Sequence, residues 1–391
     1  MQDYTVAWIA PLAIEAAAAL QLLDEHHGTA GRKPGQTLLY HLGRMGAHNI
    51  AIASFPAGEC GIGVAGAMVA EMKRDLPNLE IGLLVGIGAG IPSSQNDIHL
   101  GDVAVAVPDG DNSGVIGYDL VKIEPEEIVP KQWQNASHPL LRSAIQKLRT
   151  GSLQPSGDNK NYLLSHLQRF NGTKFERPQT PSQPSTCSEH IQHPRQYPIV
   201  HHGPILSGNK VIKSARYRDK LSPNNKAIAI EMEAAGIMNS LPVAVIRGIS
   251  DFGDCGKNDT WQPYAAATAA AYAKELLKEV GPLQRVDSLP RGRPHTVELS
   301  YRGVLEILED RSRRLNVNNN WRNSVVDLLK LLFLDSSLEA RARLARRWNV
   351  FVGKDGDPVR NIALHGLIIS ALAQNQGDVP SSLAEALSID G

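Results

Sequence analysis

The sequence predicts an α/β fold over residues 1–280 and a small all-α domain over residues 301–391. Three observations carry this reading. Short, uniformly apolar runs of strand length alternate with helical patterns up to about residue 280, as in a sheet covered on both faces. The alternation stops at "GPLQRVDSLPRGRPHTVELS", residues 281–300, where prolines and glycines flanked by charges mark a linker. Beyond it only amphipathic helical patterns remain. The 391 residues exceed the usual size of one domain, in keeping with two.

"TVAWIAP" reads as a buried strand, and "LAIEAAAALQLLDE" follows with helical composition. This start is not a signal peptide: it lacks a basic leading region, and Asp3 and Glu15 interrupt it. "NIAIASF" and "GVAGAMVAEMKRDL" repeat the strand and helix. "GIGVAG", residues 61–66, matches G-x-G-x-x-G but lies outside the first βα unit, so its small residues are read as allowing close helix packing. "IGLLVGIGAG" is a strand ending in glycines, and "GDVAVAVP" another strand. Residues 151–200 break the rhythm with "PQTPSQPSTCSEHIQHPRQYP" and read as a long loop or insertion. Then come the strands "GPILSG" and "AIAIEM", the helix "EAAGIMNSL", the strand "PVAVIRGIS" and the helix "PYAAATAAAYAKELLKEV". After the linker, "NSVVDLLKLLFL", "SSLEARARLARRWNV" and "VRNIALHGLIISALAQN" are helical. Ser336 or Ser337 caps the run that starts at Leu338, and Gly377 is a stop.

Composition narrows the function. Forty Lys and Arg balance forty Asp and Glu, so there is no electrostatic footprint for nucleic acid or an anionic membrane. No uninterrupted apolar run reaches the about 18 residues of a membrane span. Cys60, Cys187 and Cys255 are sparse and lack CxxC spacing, which argues against a disulfide framework or a zinc site and suits a reducing, cytoplasmic compartment. His201 and His202 have no partners at ligand spacing, so no metal is expected. The chain has no GxSxG elbow, Walker A loop or HExxH motif.

The candidate chemistry lies in carboxylates. In "KAIAIEMEAAGIMNSL", residues 226–241, Glu231 and Glu233 stand in a small, apolar run, where carboxylates are seldom buried unless paired. Glu15 follows the first strand among small apolar residues; the plainer reading is an acid that complements a helix dipole. "VIRGISDFGD" ends a buried strand in Ser250 and Asp251. Partial burial favours the proton-bearing form of a carboxyl group, so Asp251 is a candidate acid, with a turn cap as the alternative. "GIGAG", residues 86–90, is expected to form a ligand-facing loop, with Gly88, Ala89 and Gly90 offering backbone N–H groups. A sheet that gathers Glu15, Glu233 and Asp251 at one end would make an acid–base site of the kind glycosidic chemistry uses.

"IAPLAIEAAA", "GPILSGNKVIK", "AIEMEAAGI" and "VIRGISD" resemble the purine nucleoside phosphorylase and nucleosidase superfamily over about residues 4–280. The likeness extends to its fungal branch, whose domain also occurs as an effector module on immune-receptor-like proteins. It implies a three-layer α/β sandwich around a twisted mixed sheet, no cofactor, and a homo-oligomer, dimer or higher. It implies that Glu233 binds the ribose 2′- and 3′-hydroxyls and that Met232 packs on the sugar. Asp251 hydrogen-bonds or protonates purine N7, and Ser250 holds Asp251. Val211 and Ile212 line the base pocket. Many relatives carry an aromatic at the position of Val211, so Phe252 or Trp261 is the candidate substitute. Glu231 is the weaker of the two glutamates, holding water or a backbone group.

Bacterial-type phosphorylases of the superfamily carry arginines in the first loop and around the third-strand glycines. Here the first loop is "APLAIEA", and Val85 and Gly88 stand at the later positions. Phosphate would lack its charge-assisted hydrogen bonds there. Glu15 matches the glutamate with which nucleosidases activate water. Arg44 and Arg218 are the remote candidates for an anion site. The resemblance thus implies a hydrolase that cleaves the N-glycosidic bond of a purine nucleoside or nucleotide to free base and ribose. A phosphate-dependent phosphorylase and a sensing domain without turnover are the alternatives. "SVVDLLKLLFLDSSLEARARLA" and "NIALHGLIISALAQNQGDVP" resemble a small helical domain of unknown function, which implies no activity.

Overall fold

The computed structural model describes residues 1–29, 31, 35–94, 96–110, 112–123, 128–130, 134–152, 162–179, 195, 197–222, 226–283, 301–315, 320–348, 350, 353–375, 377–380, 383, 386 and 387. Residues 284–300 of the linker expected at 281–300 and the centre of the insertion expected at 151–200 lie outside the described residues. The chain divides into two compact units, Met1–Arg285 and Val286–Gly391.

The first unit begins with β1 Val6–Ile9, α1 Ala13–Gln21, β2 Glu25–Thr29, β3 His41–Met45, β4 His48–Ala53, α2 Ile62–Asp75 and β5 Ile81–Gly90. It continues with β6 Val103–Ala106, β7 Val115–Gly117, β8 Val121–Ile123, β9 Ile128–Pro130, α3 Pro139–Ser152, α4 Tyr162–Leu167, β10 Val200–Gly203 and β11 Ile205–Ser207. It ends with α5 Ala215–Leu221, β12 Ala229–Glu231, α6 Ala234–Ile237, β13 Ala244–Asp251 and α7 Gln262–Val280. Eight strands lie in the order β10-β6-β13-β5-β1-β4-β3-β2, and β12, β11 and β7 branch in turn from β5. The central strands β13, β5, β1 and β4 are parallel, whereas β6 and β12 run antiparallel to their neighbours, so the sheet is mixed.

The pleat sends alternate side chains to opposite faces. In β1, Val6 and Trp8 enter one core and Ala7 and Ile9 the other. Helices α1, α3, α4 and α7 bury residues in the first core, and α2 and α6 in the second. The result is three layers. Close approach between layers depends on missing side chains. A Cβ at Gly248 would overlap the Ala265 backbone, and one at Gly236 would overlap the Ile62 carbonyl. One at Gly66 would sit 3.1 Å from the Gly236 carbonyl, so "GIGVAG" serves as the contact between α2 and α6.

Three differences from the sequence reading have physical causes. The strand expected in "GPILSG" is β11, but a further strand, β10, precedes it: the chain switches at Pro204, which lacks an N–H for the ladder, from β10 beside β6 to β11 beside β12. Helix α3 was not expected, although Leu141, Ala144, Ile145 and Leu148 form a buried stripe at helical spacing. Cys60 is a free, exposed thiol, but Cys255 is disulfide-bonded, so the expectation of three lone cysteines fails there. No helix among the described residues is long and apolar enough to cross a membrane.

The second unit contains α8 Tyr301–Arg314, α9 Val325–Leu331, α10 Leu338–Arg347 and α11 Pro358–Gln374 around a core that includes Leu308, Trp321, Leu328, Leu344 and Ile368. Its helix ends follow side-chain capping. Ser337 Oγ accepts from the Ala340 N–H at 3.2 Å, and Asp357 Oδ1 accepts from the Val359 N–H at 3.0 Å. Gly377, at φ 87°, donates its N–H to the Leu372 carbonyl at 2.7 Å and ends α11.

Candidate active site

The carboxyl ends of β1 and β5 and the turn from β12 into α6 bring Glu15, Glu231 and Glu233 together around Arg247, while Asp251 ends β13 with contacts of its own. Glu15 lies in the first turn of α1 with only 3% of its surface exposed. Its Oε2 accepts from the Leu12 N–H at 2.6 Å and its Oε1 from the Ile87 N–H at 2.7 Å. The carboxylate therefore ties the start of α1 to β5. Burial pushes its pKa up to about 7, while the positive charge of Arg247 and the two backbone donors hold it from rising further.

Arg247, in β13, is a residue that sequence reasoning missed. Its guanidinium donates through Nη2 to Glu233 Oε2 at 2.9 Å and to Glu231 Oε2. Its Nε is buried and has no hydrogen-bond partner. A Cβ on Gly86 would run into both Glu15 Oε1 and Arg247 Nη1, so the bare backbone at Gly86 lets acid and guanidinium approach the same point. A signal was present: all eight positions of β13 are buried, and a buried cation in a strand needs anions.

The two glutamates of β12 and its turn separate by environment. Glu231 has a fully buried side chain; it accepts from the Glu233 and Ala234 N–H groups at 3.1 Å and pairs with Arg247. It clamps the turn into α6. The Glu233 side chain keeps 9% exposure and is the member of the pair that opens outward. Burial raises its pKa, with Arg247 opposing and Glu231 adding to the rise. Met232 is half-buried between them, its N–H 3.3 Å from Glu233 Oε2.

Asp251 ends β13, just past a register shift that begins at Ile249. Its Oδ1 accepts from the Gly253 N–H at 2.8 Å, and its Oδ2 from Ser250 Oγ at 3.0 Å. Lys257 Nζ lies 3.1 Å from the same Oδ2. Lys257 had no place in the sequence reading, because nothing local marks a lysine six residues along a loop.

The remaining predicted residues spread more widely. Gly88, Ala89 and Gly90 are not a loop but the last residues of β5, where Ala89 pairs with Ile230 of β12. A Cβ at Gly88 would lie 2.9 Å from the Ile230 carbonyl, so glycine there admits the antiparallel β12. Ile212 is buried in a small cluster with Ala89, Tyr118 and Ile230, whereas Val211 is exposed. Tyr118 is an aromatic of this cluster that the sequence did not single out. Phe252 is half-buried against the second core, and Trp261 is buried edge-on to Tyr264 in the first.

The remote arginines are engaged elsewhere. Arg44 pairs with Glu25 at 3.1 Å, and Arg218 donates to the Phe252 carbonyl and to Asp219 Oδ1, each at 2.7 Å. Arg218 thus braces the loop after Asp251. His201 Nε2 lies 2.8 Å from Asp102 Oδ2, and burial pushes the pKa of His202 down to about 4. Among the described residues no group of three or more His, Cys, Asp or Glu side chains is placed to hold a metal ion.

Residues 249–380 match a family described as a domain of unknown function (DUF3597). The chain is 38% identical over 299 residues to a nucleotide-binding leucine-rich repeat (NLR)-like protein of Hyaloscypha variabilis, covering 72% of this chain and 30% of that protein. It is 34% identical over 86 residues to the ATP nucleosidase Cap17 of Escherichia coli, covering 20% of this chain and 17% of that enzyme. The chain thus spans less than a third of the length of either relative. A solved structure of futalosine hydrolase from Helicobacter pylori aligns at a TM-score of 0.48 and 15% identity, covering 71% of this chain and 98% of that one. The sequence relatives agree with the likeness read from the sequence: they include an ATP nucleosidase and an NLR-like protein, and residues 249–380 match a family of unknown function.

Proposed function

We propose that the first unit hydrolyses the N-glycosidic bond of a purine nucleoside or nucleotide. The observation that carries this is Glu15: a buried carboxylate, poised near neutrality, held on two backbone donors beside a buried guanidinium. Glu15 takes a proton from water, and the resulting hydroxide bonds to C1 of the ribose as the bond to the base nitrogen breaks. Glu233, the more open glutamate, binds the ribose hydroxyls, and Met232 packs on the sugar. Asp251 engages the N7 edge of the base, where hydrogen bonding or proton transfer improves the leaving group, and Ser250 holds it there. Arg247 sets the positions of Glu231 and Glu233, and its unpartnered Nε faces no acceptor from the protein.

Charge supports hydrolysis over phosphorolysis. Three glutamates surround Arg247, and Arg44 and Arg218 are engaged in other contacts, so an incoming phosphate would meet carboxylates rather than an open guanidinium. Similarity to an ATP nucleosidase agrees with this, and leaves nucleoside, AMP and ATP as the substrates to compare. Similarity to an NLR-like protein favours a second reading, in which the same site binds ligand without turnover. The two separate on release of free base from a panel of purine nucleosides and nucleotides. An enzyme releases base, and Glu233→Ala and Asp251→Asn lose turnover while staying folded. A sensor binds ligand and turns over none of the panel.

A further inference from the structure

We propose that Asn209 is a positioning residue for Glu233, acting through the start of α2, and that it thereby sets the preference for substrates that carry ribose hydroxyls. The inference rests on the reading above that Glu233 binds those hydroxyls. Helix α2 is capped at its N-terminus by Gly61, which has no side chain to hold the helix's first N–H groups. The missing acceptor comes from a distant part of the chain: Asn209 Oδ1 accepts from the Ile62 N–H at 2.9 Å. Gly61 stands at φ 93°, and a Cβ there would run into that same Oδ1, so glycine is what admits the amide. One peptide back, the Gly61 N–H donates to the Glu233 carboxylate. One peptide on, the Ile62 carbonyl lies against Gly236 of α6, with no room for a Cβ there. The start of α2 therefore ties Asn209 to Glu233 and to the helix that Glu233 opens.

Asn209 is itself anchored. Its N–H donates to Asp119 Oδ2, and Lys210 Nζ donates to Asp119 Oδ1 at 2.6 Å. The two residues before it grip the glutamate turn. Ser207 Oγ accepts from the Ala235 N–H at 2.8 Å, and the Gly208 N–H donates to the Glu231 carbonyl at 3.2 Å. Because Oδ1 must face a donor, the Ile62 N–H fixes which way the amide points. Asn209 is exposed, so its truncation opens no cavity in a core, and its effect is confined to what it holds. Glu233 needs a hold on this side. Arg247 Nη2 fixes Glu233 Oε2 from β13 at 2.9 Å, and the Gly61 N–H fixes the carboxylate from α2. A carboxylate that accepts from two hydroxyls at once has to present both oxygens in a set plane, and a site loose by about 1 Å loses that contact. Without the Asn209 cap the Ile62 N–H has no acceptor, and the first turn of α2 no longer places Gly61.

The test compares adenosine with 2′,3′-dideoxyadenosine, and ATP with 2′,3′-dideoxy-ATP, on the full chain. Release of adenine gives kcat/KM, and calorimetry gives Kd for any probe that is bound but not cleaved. Each variant is read as its fall from wild type on each probe, so the unequal lability of the glycosidic bonds cancels. Asn209→Ala should weaken the hydroxylated member of a pair by about 10-fold, the scale of a hydrogen bond to a charged group, and leave the dideoxy member within about twofold. Asn209→Asp, which keeps an acceptor for the Ile62 N–H, should stay close to wild type on both. In the Glu233→Ala background Asn209→Ala should cost nothing further, because the group it positions is gone. An equal fall on both members, or an undiminished effect of Asn209→Ala in the Glu233→Ala background, would overturn the proposal. So would neither binding nor turnover of any of the four probes. Loss of the hydroxyl preference in Glu233→Ala but not in Asn209→Ala would remove Asn209 and keep Glu233 on the ribose. A preference that survives Glu233→Ala would remove that reading of Glu233, and the proposal with it. Should Asn209→Ala not fold, Asn209→Gln, whose amide lies one methylene too far out, is expected to shift the same ratio, and an unchanged ratio there would overturn the proposal.

Discussion

At Glu15, burial and hydrogen bonding act in opposite directions, and burial wins. The carboxyl group therefore carries a pKa of about 7 and changes charge where a general base is most effective. The ionised form is the one that accepts a proton, so kcat/KM should rise with pH along a limb centred near 7 and level off above it. Stability runs the other way. The folded pKa lies above the ordinary carboxyl value, so the contribution of Glu15 to stability is present below about pH 4.5 and is lost as pH rises through 7. Glu15→Gln should lower turnover by about 10²-fold or more and remove the limb; a profile still centred near 7 in the variant would assign the limb to another group. The burial of Glu15, Glu233 and Asp251 was legible in the sequence because acids in apolar runs need a reason to be there. The pairing of Arg247 was not. Its partners lie 16 and 14 residues away in the chain, and only the sheet brings them together.

The elements explain where that legibility stops. The parallel strands β1, β4, β5 and β13 were readable because each contains a short apolar run, as burial on both faces requires. The run "GIGAG" was read as a ligand-facing loop, since clustered glycines expose backbone N–H groups, but its glycines serve close packing inside a strand. Gly88 admits the β12 backbone, and Gly86 leaves the space into which Glu15 and Arg247 both reach. Such demands belong to neighbours in space and leave no trace in periodicity. Gly86→Ala tests the point. Its methyl group must displace the Glu15 carboxylate or the Arg247 guanidinium, so kcat/KM should fall by more than about 10-fold, and stability by about 1–3 kcal/mol, the usual cost of overpacking. Activity within twofold or so of wild type would mean that the spacing of Glu15 and Arg247 is not critical. In the second unit, the caps at Ser337 and the stop at Gly377 were legible because capping is local chemistry.

At the scale of the whole molecule, a mixed sheet between two helical layers carries the polar cluster around Arg247 on its central strands, and a separate helical unit follows in the chain. The sheet supplies precise placement, because a buried carboxylate and guanidinium hold their positions only when the strands around them are fixed. Its acids outnumber its cation, with Glu15, Glu231 and Glu233 around Arg247, and the proposed hydrolysis uses that balance to activate water where phosphate would be repelled. The most direct measurement is chromatography of the products formed from a purine nucleoside or nucleotide with and without added inorganic phosphate. The expected result is free purine base together with ribose, or ribose phosphate from a nucleotide, at the same rate in both. Strict dependence on phosphate, with ribose 1-phosphate as the product, would contradict it.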